Sequence, residues 1–136
     1  MPIETTRDDL NDLTEHVVSD RVTDEEMFAC QAAFYTSNPT RLELWDMSAA
    51  DLNVITIEGL QRFVNRAARL GRARKHGRTA VITRTNLQYG LGRMAEMLGE
   101  FEALPFDFRI FRKRANAVAW LQAPSNGPDK NHADNL

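Results

Sequence analysis

Along this chain the spacing of apolar residues switches repeatedly between a period of two and a period of 3.6, and few folds accommodate that alternation. "RLELWDMS" sets Leu42 and Leu44 against Glu43 and Trp45, the two-residue repeat of a strand. Ile57, Leu60, Phe63, Val64, Ala67 and Ala68 then trace one stripe of a helix that Gly71 closes, with arginines opposite. "TAVITR" is a short β-branched run of the kind found in a strand covered on both faces. Leu87, Leu91, Met94, Leu98 and Phe101 form the next helical stripe. "LPFDFRIF" alternates Phe106, Phe108 and Ile110 with Asp107 and Arg109, and Ala115, Val118 and Leu121 mark a short last helix.

The helix starts carry their own chemistry. Thr23 is followed by Glu26 and Thr85 by Gln88, the spacing at which two side chains satisfy each other's backbone N–H groups in a capping box. Met27, Cys30 and Phe34 lie on one face of the helix so begun, and Asn38-Pro39 stops it. Upstream, "IETTRD" and "LTEHVVSDRV" flank the turn-prone 8–12 stretch and predict a hairpin.

The predicted order is β-β-α-β-α-β-α-β-α. Strands separated by helices through short connections require right-handed crossovers. The predicted class is α/β, with a mixed, mostly parallel five-stranded sheet, four helices, and the opening strand antiparallel at an edge. One domain is expected over residues 1–122. Residues 123–136, "APSNGPDKNHADNL", are polar with Pro and Gly and are expected to be disordered.

Charge is balanced in total, at −2, but not in distribution. The first 26 residues set Glu4, Asp8, Asp9, Asp12, Glu15, Asp20, Asp24, Glu25 and Glu26 against Arg7 and Arg21. Between positions 61 and 78 stand Arg62, Arg66, Arg69, Arg72, Arg74, Lys75 and Arg78 without an acid. Such asymmetry steers a protein partner or pairs two copies of a chain. A nucleic-acid groove would interleave aromatics with a basic run such as "RLGRARKHGR", and none is interleaved there. No apolar stretch has the length of a membrane span or the form of a signal peptide, so a cytoplasmic protein is expected.

Catalytic and metal-binding signals are sparse. One cysteine excludes an intramolecular disulfide and any multi-cysteine zinc site. Cys30, on an apolar helical face, reads as a buried, inert thiol. His16, His76 and His132 stand at no metal-ligand spacing from one another. His16 is the one histidine a nucleophile could use, and no enzyme activity or cofactor is expected. "YGLGRM" has a G-x-G, but Gly90 and Gly92 fall inside a helix, where glycine serves close packing.

The stretch from Trp45 to Leu60 is predicted as a strand ending near Asp46, a loop, and a helix capped by Thr56. It would lie at the carboxyl edge of the sheet, where open α/β sheets bind their ligands. Together with "NLQYGLGRMAEML…FRIFRKRANAVAWL", the passage "LWDMS…TIEGL" and the element order resemble the SpoIIAA-like family. These are small bacterial proteins related to the STAS domains of anti-sigma-factor antagonists and, more distantly, to lipid-binding CRAL-TRIO domains. The resemblance spans residues 3–121, and its most specific segments are Gly-Leu-x-Arg-Met and Ala-x-Ala-Trp-Leu.

The resemblance implies a SpoIIAA-like βα superhelix and a non-enzymatic regulatory module that docks proteins. The antagonists' Asp-Ser-Ser-Gly segment falls on Thr56-Ile57-Glu58-Gly59, which sets Glu58 in place of the phosphorylated serine. Glu58 cannot be phosphorylated and already carries the charge, leaving the hydroxyls of Ser48 and Thr56. The expected regulatory loop is Asp46, Ser48, Thr56 and Glu58, and the expected partner surface Arg62, Arg66 and Arg69, with a homodimer among the outcomes. The lipid-binding relatives imply an alternative, a small apolar or lipid-like ligand held between helices by Met27, Phe34, Met94, Met97 and Phe101.

Overall fold

All nine predicted elements are present in the computed structural model, which describes residues 2–124. Most of the tail predicted to be disordered, residues 125–136, lies outside the described residues. The elements are β1 (Ile3–Asp8), β2 (Leu13–Arg21), α1 (Asp24–Thr36), β3 (Leu42–Asp51), α2 (Ile57–Leu70), β4 (Arg78–Ile82), α3 (Asn86–Glu102), β5 (Asp107–Phe111) and α4 (Arg114–Gln122). A single 3-10 turn, Gly71–Ala73, follows α2.

The strands lie side by side in chain order, β1-β2-β3-β4-β5. β1 pairs antiparallel with β2 at the edge, and every later pair is parallel, as predicted. A parallel sheet must be covered on both faces. Leu42, Leu44, Ala80 and Ile82 pack with Ala117 and Leu121 of α4 on one side. Trp45, Met47, Val18 and Val22 pack on the other with residues of α1, α2 and α3, among them Met27, Phe63 and Leu91.

Both capping boxes form. Thr23 Oγ1 accepts from Glu26 N at 3.2 Å and Thr85 Oγ1 from Gln88 N at 3.1 Å, and each acid or amide returns a bond to its cap. β3 corrects the prediction that the strand ends near Asp46. It runs to Asp51 because β2 extends beside it, passes a register shift between Val17 and Ser19, and pairs Ser19, Asp20 and Arg21 with Ala49, Ala50 and Asp51. Only 52–56 are left to turn the chain into α2.

The stripe predicted for α3 is also displaced. Leu87 and Phe101 of that stripe are 47% and 81% exposed, as is the neighbouring Met97 at 66%; Leu91, Met94 and Leu98 are half-buried, and Gln88, Ala95 and Gly99 are buried. Small residues let this helix lie close on its neighbours. A Cβ on Gly92 would come within 3.1 Å of Ile110, and one on Gly99 within 2.6 Å of Leu104. Gly90 has open space around it, so close packing accounts for Gly92 and not for Gly90.

Candidate functional site

The four residues predicted as one regulatory loop are divided between the two faces of the sheet. Ser48 lies within β3, and its hydroxyl donates to Asp46 Oδ1 at 2.6 Å. Asp46 faces α4, with Arg114 Nη1 at 3.4 Å from its other oxygen; Arg114 also donates to Glu15 at 2.8 Å. Thr56 stands at the start of α2, where its Oγ1 accepts from Gly59 N at 2.8 Å. Glu58 is exposed in the first turn of that helix.

The anion at the α2 N-terminus comes from another helix. Asp24, the first residue of α1, accepts from Thr56 N at 3.2 Å and from Thr56 Oγ1 at 2.7 Å. A carboxylate there is favoured by the unpaired amides and the helix dipole. Gly59 makes room for it, because a Cβ at 59 would stand 2.3 Å from the carboxyl carbon of Asp24. The Thr56 hydroxyl is thus both donor and acceptor, and the position a phosphate would take is filled.

Arg62 and Arg66 lie on α2 with their guanidinium carbons 5.0 and 5.2 Å from the centre of the Phe28 ring on α1. Arg62 and Arg69 are exposed and Arg66 is half-buried. The rest of the basic run does not join them in one stripe. Arg78 donates to the carbonyls of Trp120 and Ala123, tying β4 to the end of α4.

Arg74 is buried, at 2% exposure. It donates through Nε to Thr40 O at 3.1 Å, through Nη1 to Thr79 Oγ1 at 2.9 Å, and through Nη2 to Arg41 O and Arg78 O at 2.9 and 3.0 Å. Its guanidinium also lies over the Phe106 ring at 4.6 Å. The chain from the end of α2 to β4 wraps around this one side chain.

Arg74 belongs to a network that sequence reasoning missed. Glu43 Oε2 is 2.9 Å from His16 Nε2, Glu43 Oε1 accepts from Thr79 Oγ1 at 3.0 Å, and Arg74 Nη1 stands 3.5 Å from the same carboxylate. On the other side of the ring, His16 Nδ1 is 2.9 Å from Thr5 Oγ1 and 3.3 Å from Cys30 Sγ. Cys30 is half-buried rather than enclosed, and its neighbour is an imidazole rather than only an apolar face, which corrects the reading of it as a buried thiol.

Burial opposes charge throughout this network, and the contacts within it decide the outcome. For His16 burial disfavours the imidazolium, but hydrogen bonds with Cys30 and Glu43 and the charge of Glu43 outweigh it and raise the ring to about 9. For Glu43 burial disfavours the carboxylate, but His16, Arg74 and Thr79 hold it below the ordinary value. Burial and the nearby Glu43 charge push the Tyr35 phenol up to about 12.

The signal in the sequence was Glu43 itself. A glutamate between Leu42 and Leu44 reads as the solvent side of a half-exposed strand. Its period-two companion is Trp45, however, and a face bearing Trp45 in a central strand is covered.

Between α1, α2, α3 and the sheet is a cavity of about 100 Å³, lined by apolar groups such as Met27, Phe28, Phe63 and Leu91, together with Gln31. Gln31 Nε2 donates to Phe63 O at 2.8 Å, and Gln31 Oε1 is buried without a partner. Of the predicted ligand lining, Met27 borders this cavity and Phe34 borders another, between β1 and α1. Met94 is half-buried on α3 and borders neither, while Met97 and Phe101 point to solvent. The small-residue face of α3 is the one turned inward. Among the described residues no group of three or more His, Cys, Asp or Glu side chains is placed to hold a metal ion.

No protein-family model and no curated protein matches the sequence. Two solved structures match in three dimensions. One is an uncharacterised protein of the DUF3478 family with a SpoIIAA-like fold from Shewanella loihica, with TM-score 0.56 and 18% identity, covering 88% of this chain and 91% of that one. The other is an anti-sigma factor antagonist from Mycobacterium paratuberculosis, with TM-score 0.56 and 18% identity, covering 89% of this chain and 95% of that one. The chain has a SpoIIAA-like fold, as the resemblance in sequence implies.

Proposed function

We propose that this chain is a non-enzymatic, cytoplasmic regulatory module that docks another protein, in the simplest case a second copy of itself, through α2 and the turn before it. The observation that carries this reading is the exposed apolar pair at the start of α2. Val54 is 40% and Ile57 48% exposed, beside the exposed charges Glu58 and Arg62. Apolar side chains ringed by charge are the composition of a docking surface.

Charge favours self-pairing. The acidic first turn of α1 (Asp24, Glu25 and Glu26) lies next to the start of α2, and the basic side chains Arg62, Arg66 and Arg69 follow along α2. A two-fold arrangement sets the acids of one copy against the arginines of the other. The fold shared with an anti-sigma factor antagonist supports a protein-docking role. No helix among the described residues is long and apolar enough to cross a membrane.

The second reading, an apolar ligand, is favoured by the unpartnered Gln31 Oε1 beside the cavity between helices. At about 100 Å³ the cavity is smaller than the ~150 Å³ that takes up benzene, so a lipid would have to part α1 from α2. Native mass spectrometry separates the two readings. The docking module appears as the bare chain and its multimers, whereas a ligand binder carries extra mass that unfolding releases.

A further inference from the structure

Cys30, the only thiol of the chain, lies in series with an imidazole and a carboxylate contributed by three different elements. Its Sγ on α1 is 3.3 Å from His16 Nδ1 on β2, and His16 Nε2 is 2.9 Å from Glu43 on β3. The acid end is anchored by Thr79 and Arg74. Thr5 Oγ1 reaches the same Nδ1 at 2.9 Å and stands 3.8 Å from the sulfur, so the ring is held from both sides. In such a series a thiol can pass its proton to an imidazole that a carboxylate orients.

Charge and packing hold the His16 ring between the carboxylate and the sulfur. Arg74 and the His16 imidazolium, raised to about 9, are two cations against the single carboxylate of Glu43. Among the described residues the polar neighbours of the His16 ring besides Glu43 are the Cys30 sulfur and the Thr5 hydroxyl, and Phe34 and Trp45 pack against it.

The sulfur is also reachable. A cavity of about 420 Å³ between β1 and α1 is lined by Thr5, His16, Glu26 and Cys30, with Arg7 at its edge. The Arg7 guanidinium is already bonded to Asp9 and to the carbonyls of Ser37 and Asn38. With its cation so occupied, the cavity suits a small neutral reactant better than an anionic one.

We propose that Cys30 is a nucleophilic thiol that hydroperoxides oxidise to the sulfenic acid, with His16 as proton carrier and Glu43 as the positioning residue. The Sγ proton passes to His16 Nδ1, and the thiolate attacks the terminal peroxide oxygen. The O–O bond breaks as the S–O bond forms. Sulfur loses two electrons, the peroxide gains them, and the departing oxygen takes the proton from Nδ1 to leave as water or an alcohol. The modified side chain sits on α1, the helix whose first residue, Asp24, bonds to Thr56 at the start of α2. The chemistry itself stands independently of the docking role.

The test needs the wild-type chain first. At pH 7 iodoacetamide should alkylate the native protein about tenfold or more faster than the urea-unfolded chain, the mark of a thiol activated by an adjacent imidazole. One equivalent of hydrogen peroxide followed by dimedone should leave the sulfenic adduct on Cys30. In Glu43→Gln, kept folded by the criterion of its far-UV circular dichroism, native alkylation should slow several-fold. Native alkylation no faster than that of the unfolded chain would overturn the proposal. So would the absence of a dimedone adduct, and so would a folded Glu43→Gln that reacts at the wild-type rate. If Glu43→Gln does not fold, the wild-type comparison and the adduct decide alone.

Discussion

At Glu43 a single carboxylate, 4% exposed, serves both Arg74 and His16, so its removal leaves two buried cations without an anion. Breaking a buried pair from one side costs about 3–5 kcal/mol, more than the pair itself contributes. Glu43→Leu is therefore expected to lower the free energy of urea unfolding by about that amount. The network also sets a pH range. His16 is raised from 6.5 to about 9 in the folded chain, with Cys30, Thr5 and Glu43 against its nitrogens and Arg74 and Tyr35 around Glu43. Its contribution to stability is complete below pH 6.5 and is lost as pH rises through about 9. Glu43, held below its ordinary 4.5, contributes fully above that value and less as pH falls. Urea midpoints measured from pH 4 to 10 should peak between about 4.5 and 6.5 and decline toward 9. Little of this was legible in the sequence. Glu43 and Arg74 are 31 positions apart, and only the register of β3 with β4, and the chain wrapped around the guanidinium, bring them together.

The helices show how far periodicity alone reaches. For α2 both ends were readable, because Thr56 caps the start and Gly71 follows Leu70 at the end, but of the predicted stripe Val64 and Ala67 are buried while Ile57 is 48% exposed. For α3 the cap was readable but the inward face was not: Gly92, Ala95 and Gly99 face inward because there is no room for larger side chains, while bulky Phe101 and Met97 face solvent. A rule that assigns large apolar residues to the core fails where a helix packs through glycine and alanine. The contrast between Gly90 and Gly92 tests this geometry. Gly90→Ala adds a methyl group that meets nothing and should stabilise the chain by about 1 kcal/mol through helix propensity. Gly92→Ala presses on Ile110 and should gain less or lose stability. Equal thermal shifts in the two variants would contradict the packing described for α3. At the other helix, Thr56→Ala removes the cap of α2 and the donor to Asp24 and should cost about 1 kcal/mol in the same thermal scan.

At the scale of the molecule, the element order, the parallel sheet and the antiparallel edge strand follow from the alternation of spacings and the handedness of crossovers, and so were open to the sequence. The surface proposed to dock proteins was legible only in part. Arg62 and Arg69 are exposed as predicted, but Arg74 and Arg78 are drawn into the interior and onto α4, and the regulatory loop separates into Asp46 with Ser48 on the α4 side and Thr56 with Asp24 on the other. What the assembled surface presents is the start of α2, apolar at Val54 and Ile57 and flanked by charges of both signs. If that surface docks proteins, an acid at its centre should disable it while leaving the buried face of α2 (Val64 and Ala67) untouched. Sedimentation velocity of the wild-type chain and of Ile57→Asp/Arg62→Glu, over a hundredfold range of concentration at low salt, is the direct measurement. The wild type should associate, more weakly as salt rises, and the variant should remain a folded monomer. A wild-type chain that stays monomeric throughout, or a variant that associates as well as the wild type, would contradict the account.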